Sequence, residues 1–277
     1  MSILSFFVLI FILSYFAGLI GSLTGVGGGI IITPILVLFF HINIQSAMGA
    51  SLLAVIATSM GASIALKKNF TNIRVGLLLE TAAVTGAIIG ALLINFIPKT
   101  VITFLFSLIL FFSAYSSLKR HEELEQWTTS HPISLALKLD GYYPVDDKMT
   151  RYHVQKVPTA FVIMGFAGIV SGLLGIGSGI LKVLAMDQAL RLPYRVSTST
   201  SNFMIGMTAA AGVGIYFANG YINPVIVCPV VLGVILGSFS GAIILHRLKI
   251  VYLRIIFSVL IIIIGIQMLY KSLAGFS

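Results

Sequence analysis

The sequence predicts an all-α polytopic membrane protein made of two inverted five-segment repeats, each with a glycine-broken short helix. Three observations carry this expectation. The chain is 58% hydrophobic and only 9% charged, against roughly 45–50% and about 25% in a soluble domain. A glycine-rich motif occurs twice, 150 residues apart: Ala17 to Ile30 reads AGLIGSLTGVGGGI and Ala167 to Ile180 reads AGIVSGLLGIGSGI. The similarity continues from Ser51 to Ser201 and from Thr58 to Thr208 at the same offset, which marks an internal duplication. Finally, the basic residues gather in short loops and one linker, as orientation signals do.

A lipid-embedded chain satisfies its backbone internally, and the alternation of a barrel strand is absent, so the spans are expected to be helices. Apolar runs fall at 3–23, 27–40, 46–66, 74–97 and 100–118, and again at 158–174, 178–190, 197–217, 223–245 and 251–271. The first has no basic n-region and leads directly into the first glycine motif, so it reads as a retained span rather than a signal peptide. The second and seventh are short. A 14-residue helix reaches about 21 Å, less than the roughly 30 Å hydrocarbon core, so these two are half-helices starting inside the membrane or re-entrant elements.

Charge arbitrates between the two. If all ten segments change sides, Lys67, Lys68, Arg74, the linker's basic residues, Arg191, Arg195, Arg247, Lys249 and Arg254 share the cytoplasmic face, and only Lys99 and Lys271 face outward. Five crossings per half is odd, so the halves are expected to be inverted, with both glycine motifs dipping toward the midplane from opposite faces. The organisation is then a first transmembrane repeat over 1–118, a polar cytoplasmic linker over 119–157 and a second repeat over 158–277. The linker holds six of the eight carboxylates and the only tryptophan, Trp127. Within it Ile133, Leu135, Leu137 and Leu139 alternate with Ser134, Ala136 and Lys138 before Asp140-Gly141, which suggests a strand entering a hairpin. His121, His131 and His153 match no zinc spacing and read as ordinary surface histidines; no metal or cofactor is expected.

The glycine motifs are the candidate substrate site. Matched breaks of hydrophobic segments in two halves of a membrane protein point to a binding site between repeats. Glycines let the backbone take left-handed angles and approach a ligand, while the following helix offers free N–H groups and a positive dipole end, which suits an anion. The candidate binding residues are Gly25, Gly27, Gly28 and Gly29 with Ser51, and Gly175, Gly177, Ser178 and Gly179 with Ser201. The bland alternative is that the glycines serve only close helix packing, and that the hydroxyls only satisfy a nearby backbone carbonyl.

Ionisable residues inside the segments are few, and such groups default to a functional reading. Lys182 follows the second motif by three residues and is a candidate anion ligand, with Ile32 as its counterpart in the first repeat; the alternative is an internal pair with Asp187 or Glu80. Glu80 and Asp187 are the candidate proton-coupling groups. No Walker motif GxxxxGK[ST] occurs, and GVGGGI lacks the downstream acid of a dinucleotide fingerprint. The net charge of +9 sits in loops, so nucleic acid is not an expected partner. Cys228 has no evident base, and His41 and His246 lie near segment ends, so no catalytic constellation is expected and the chain is read as a carrier rather than an enzyme.

GSLTGVGGGIIITPIL followed by SAMGASLLAVIATS, and later GLLGIGSGILKVLAMDQALRLPYRVSTSTSN, resemble the TauE/SafE membrane permeases, also called the toluene sulfonate uptake permease family. The resemblance runs over nearly the whole chain. It implies a duplicated multi-helix carrier in the cell membrane that exports a small sulfur-containing anion such as sulfite or an organosulfonate, with protons as the coupling ion. The family's glycine motif maps onto Gly25, Gly27, Gly28 and Gly29, and onto Gly175, Gly177 and Gly179; Pro34 suits the first copy, whereas the second has Leu184 there and GSG in place of GGG. A carrier of small carboxylates, or a membrane-integral sulfur-relay or acyl-transfer enzyme, are the alternatives.

Overall fold

The computed structural model describes residues 3–24, 27–65, 70–118, 131–145, 148–244 and 250–275. The first half forms α1 (Ile3–Thr24), α2 (Gly29–Leu38), α3 (Ile44–Ala65), α4 (Ile73–Leu93) and α5 (Lys99–Leu118). The linker contributes a one-turn helix α6 (Pro132–Ala136) and strands β1 (Gly141–Val145) and β2 (Lys148–Tyr152). The second half forms α7 (Val157–Leu174), α8 (Gly179–Leu184), which runs on as a π-helical turn (Ala185–Ala189), α9 (Tyr194–Ala218), α10 (Pro224–Ile244) and α11 (Ile250–Ala274). Among the described residues, eight helices are long and apolar enough to cross a membrane. The chain is an all-α polytopic membrane protein, and its two short broken helices follow the glycine motifs.

The halves interlock. Helix α4 leaves its own half to pack on α7 and α9, and α10 packs in the same way on α1 and α3. The remaining large pairings join like with like, α3 with α9 and α5 with α11. Exchanging the halves therefore maps every large contact onto another or onto itself.

Residue registers give the helix directions. Gly237 approaches Tyr15 and Leu19 while Gly241 approaches Leu19 and Ser22, so α1 and α10 are parallel. Gly168 on Ala83 and Gly172 on Ala87 make α4 and α7 parallel as well. The like-with-like pairs run the other way. Ser59 Oγ donates to the Asn202 carbonyl at 2.6 Å while Gly212 faces Leu52, so α3 and α9 are antiparallel. Ser258 reaches the Ala114 carbonyl and Ser272 the Thr100 carbonyl, so α5 and α11 are antiparallel too. Gly49 meets Tyr221 and Gly61 meets Ser238, which aligns α3 with α10 and hence with α1. The segment between α1 and α3 returns the chain to the start of α3, and its helix α2 begins level with Ala17 and Thr58.

Arg74, Arg191 and Arg195 lie at the end where α4 and α9 begin, because the Asn72 N–H donates to Thr200 and the Gln155 N–H to the Leu190 carbonyl. Lys99 and Lys271 lie at the opposite end, where Lys271 Nζ donates to the Val37 carbonyl at 2.8 Å and closes the C-terminal turn of α2. Lys67, Lys68, Arg247 and Lys249 lie outside the described residues.

Glycines make the α1–α10 and α4–α7 seams, the route small residues give membrane helices to close approach. A Cβ on Gly237 would sit 1.9 Å from the Tyr15 carbonyl oxygen and one on Gly172 2.0 Å from that of Ala87. Neither backbone can step aside. Gly237→Ala is therefore expected to lower stability by about 1–3 kcal/mol, read as thermal denaturation in detergent, whereas Gly214→Ala, with nothing within 4 Å of its Cβ, does not lower the midpoint.

The linker differs from its sequence expectation. Residues 133–139 are not a strand: the His131 side chain accepts from the Ile133 N–H and Pro132 opens a helical turn, which suits its fixed φ. Ser134 is buried against Asp140 Oδ1 at 2.9 Å, while Ile133, Leu135 and Leu137 point outward. The hairpin follows instead, with Gly141 opposite Tyr152 and Val145 opposite Lys148. Asn72 docks it to the helices. Its Oδ1 accepts from the Val75 N–H to cap α4, and its Nδ2 donates to the Leu139 carbonyl and to the Tyr152 hydroxyl. Burial pushes the Tyr152 phenol up to about 12, so it stays protonated at this contact. His153 Nδ1 lies 3.1 Å from Asp140; His121 and Trp127 fall outside the described residues.

Candidate functional site

The two glycine breaks meet where α3 crosses α9. Gly27 (φ +86°) and Gly177 (φ +72°) both hold left-handed backbone, and a Cβ on either would point at Val55 and Ile205. Val55 and Ile205 are the same position of the two repeats, 150 residues apart. Each break therefore faces the crossing from its own side. Gly25 lies outside the described residues.

The paired serines tie these breaks to the crossing. Ser51 Oγ is 2.9 Å from the Gly29 carbonyl and 2.7 Å from the Gly175 carbonyl, so one hydroxyl holds both motifs. Ser201 Oγ donates to the Gly179 carbonyl at 3.2 Å. A Cβ on Gly29 would lie 2.5 Å from Ser51 Oγ and from Val55 Cγ2, which requires glycine there. The Gly28 N–H donates to Thr58 Oγ1 at 3.3 Å. Both serine hydroxyls thus serve carbonyls of the breaks themselves.

The second break is the more polar. Ser178 caps α8 in left-handed conformation (φ +47°), a sparse region for a residue with a side chain. Its Oγ is buried and has no hydrogen-bond partner among the described residues. Intrahelical bonding starts with the Lys182 N–H on the Ser178 carbonyl, leaving the preceding first-turn amides without a helical acceptor.

One turn further on lies the charge. Lys182 is fully buried at 0% exposure, and its Nζ donates to Glu80 Oε2 at 3.2 Å and to Thr208 Oγ1. Thr208 in turn donates to Glu80 Oε1. Glu80, 2% exposed, belongs to α4, which reaches this place only because the halves interlock. Of the two acids open to Lys182 in the sequence, Glu80 is thus its partner, and Asp187 lies buried in the π-turn with contacts of its own. Thr208 is the site residue that sequence reasoning did not select; its one signal was the repeat pair with Thr58.

A model of the family described as Sulfite exporter TauE/SafE matches residues 10–268. The chain belongs to the TauE/SafE family. It is 28% identical to the probable membrane transporter protein YunE of Bacillus subtilis (strain 168), over 96% of this chain and 98% of the relative. It is 29% identical to the probable membrane transporter protein YdhB of the same organism, over 84% and 88%. The probable membrane transporter protein MJ0441 of Methanocaldococcus jannaschii is 26% identical over 94% of each chain. No solved structure matches. This TauE/SafE protein is a multi-pass membrane transporter, and among the described residues it buries the ion pair of Glu80 and Lys182 beside Thr208.

Proposed function

We propose that this TauE/SafE transporter carries a small sulfur oxyanion or sulfonate across the cell membrane, coupled to protons, by alternating access around the two glycine breaks. The observation that carries the reading is Lys182, a fully buried cation beside the second break. A charge at that depth is costly and persists where it has a task. The antiparallel α3–α9 and α5–α11 pairs, against the parallel α1–α10 and α4–α7 pairs, support halves inverted about an axis in the membrane plane. Rocking of one interlocked group against the other would expose the crossing to each side in turn. Export follows the family description, and the proton-coupling groups of this reading are Glu80 and Asp187.

One observation favours a second substrate class: the group that Lys182 now holds is a carboxylate. A small carboxylate is therefore the alternative cargo. Protein-dependent flux of sulfite, methanesulfonate and acetate in proteoliposomes, taken as the excess over protein-free vesicles with and without a pH gradient, separates them. Sulfite or sulfonate flux driven by the gradient is the expected result; acetate flux alone would replace the sulfur reading with the carboxylate one.

A further inference from the structure

We propose that Glu80 is the resident competitor of the transported anion for Lys182, so that a monovalent anion binds only as Glu80 takes up one proton, making the carrier an electroneutral one-to-one proton–anion symporter. The inference rests on the anion-carrier reading above and specifies its coupling.

The fold contains its own apolar control for this site. Lys182 corresponds to Ile32 and Thr208 to Thr58 at the repeat offset, and the glycine pairs Gly86/Gly237 and Gly90/Gly241 place Val231 opposite Glu80. The same packing is thus completed in the first half by isoleucine, valine and a threonine whose hydroxyl serves the Gly28 amide and the Ala54 carbonyl. The architecture closes without an ion pair. Burying two charges costs several kcal/mol per ion before their attraction is counted, and an apolar replacement is often as stable. A pair kept in only one of two equivalent places is not explained by folding.

Charge balance then fixes what the site can hold. Ionised Glu80 and protonated Lys182 sum to zero. An added monovalent anion would leave one net negative charge in a low-dielectric interior, an arrangement that is strongly disfavoured. If a proton bonds to a Glu80 oxygen, the contact to Lys182 is released, Lys182 Nζ donates to the anion instead, and the sum returns to zero. Thr208 is placed to serve both states. It now donates to Glu80 Oε1; once that carboxyl is protonated, the Glu80 O–H donates to Thr208 Oγ1, and the threonine proton turns to the Met204 carbonyl 3.3 Å away. The threonine hydroxyl thus keeps both a donor and an acceptor role in either state.

This exchange narrows the two proton-coupling groups proposed above to Glu80, the acid paired with Lys182. Among the described residues, α4 offers Arg74 and α9 offers Arg195 and Tyr194 at the end where both helices begin. Tyr216 donates to the Gly172 and Leu173 carbonyls. Lys156 precedes α7, Asp187 follows in the π-turn, Lys99 and Tyr115 lie on α5, and α3 carries none. Of the charged groups among the described residues, Glu80 is the one paired with Lys182.

The sign of the coupling follows. Proton and anion move together, so acid outside drives uptake, and export runs down the anion's own gradient with a proton beside it. The test is protein-dependent flux, the excess over protein-free vesicles, of sulfite (at a pH where hydrogen sulfite predominates), methanesulfonate and acetate in proteoliposomes carrying the native protein or Glu80→Gln, with membrane potential clamped and lumenal pH followed. Native protein is expected to move one proton per monovalent anion, to be indifferent to voltage and to accumulate anion about tenfold per pH unit. Glu80→Gln is expected to keep anion exchange, lose gradient-driven accumulation and become voltage-sensitive, because its empty site returns with a positive charge. Gradient-driven accumulation that survives in Glu80→Gln overturns the competitor role while leaving the carrier reading intact. Should that variant not fold, voltage-driven native flux without proton movement overturns the role equally. Coupled flux of acetate alone would uphold it and remove the sulfur substrate; no flux of any of the three would remove both.

Discussion

Lys182→Met is expected to abolish anion flux and destabilise the protein, and adding Glu80→Gln is expected to restore the stability without the flux. Removing the lysine leaves a carboxylate, 2% exposed, with Thr208 as its remaining donor. Breaking a buried pair from one side costs about 3–5 kcal/mol, whereas replacing both partners by neutral groups of similar volume is near neutral. Thermal denaturation in detergent should therefore show a large drop for the single variant and recovery in the double. Transport responds differently because the anion's partner is absent from both. Loss of a buried charge partner corresponds to about 100-fold or more in flux. Recovery of stability together with flux would assign the lysine to folding alone and remove it from the binding site.

The sequence and the structure agree where a signal was local or repeated. Gly27 and Gly177 were legible as a pair because only glycine holds their positive φ cheaply, and the duplication displayed that requirement twice. The eight long helices among the described residues were legible from apolar length. What stayed hidden depends on the interlocking of halves. Glu80 and Lys182 are 102 residues apart, and nothing along α4 announces that it leaves α3 and α5 to pack on α7 and α9. With its place among the second half's helices unknown, Glu80 was one of two acids open to Lys182, and the sequence did not choose between them. Thr208 was one hydroxyl among many in α9, separable only by what its proton reaches. The linker misled for a different reason. Ile133, Leu135 and Leu137 alternate like a strand, but a single helical turn is too short to display its own period, and the buried partner there is Ser134 rather than the apolar residues.

The glycine breaks should respond unequally to the same substitution. Gly27→Ala and Gly177→Ala each place a side chain on left-handed backbone, at about 1–2 kcal/mol. Beyond that they differ. A Cβ on Gly27 finds Val55 and Ile205 at 3.7 Å, ordinary contact, whereas one on Gly177 would lie 2.7 Å from Val55 Cγ1 and 2.8 Å from Ile205 Cγ2. The second substitution adds overpacking of about 1–3 kcal/mol at the α3–α9 crossing. Flux is therefore expected to fall about tenfold in Gly27→Ala and about 100-fold in Gly177→Ala, both measured as sulfite counterflow at equal protein density. Val55→Ala supplies the control. It removes the Val55 γ-carbons but leaves Ile205 Cγ2 at 2.8 Å, so the double variant should regain part of the overpacking loss, a coupling that neighbouring sites show and distant sites do not. The backbone part remains, since no change at Val55 makes φ +72° cheaper for alanine. If Gly27→Ala and Gly177→Ala lose flux equally and Val55→Ala rescues neither, the breaks act through backbone angle alone and the crossing does not govern access between them.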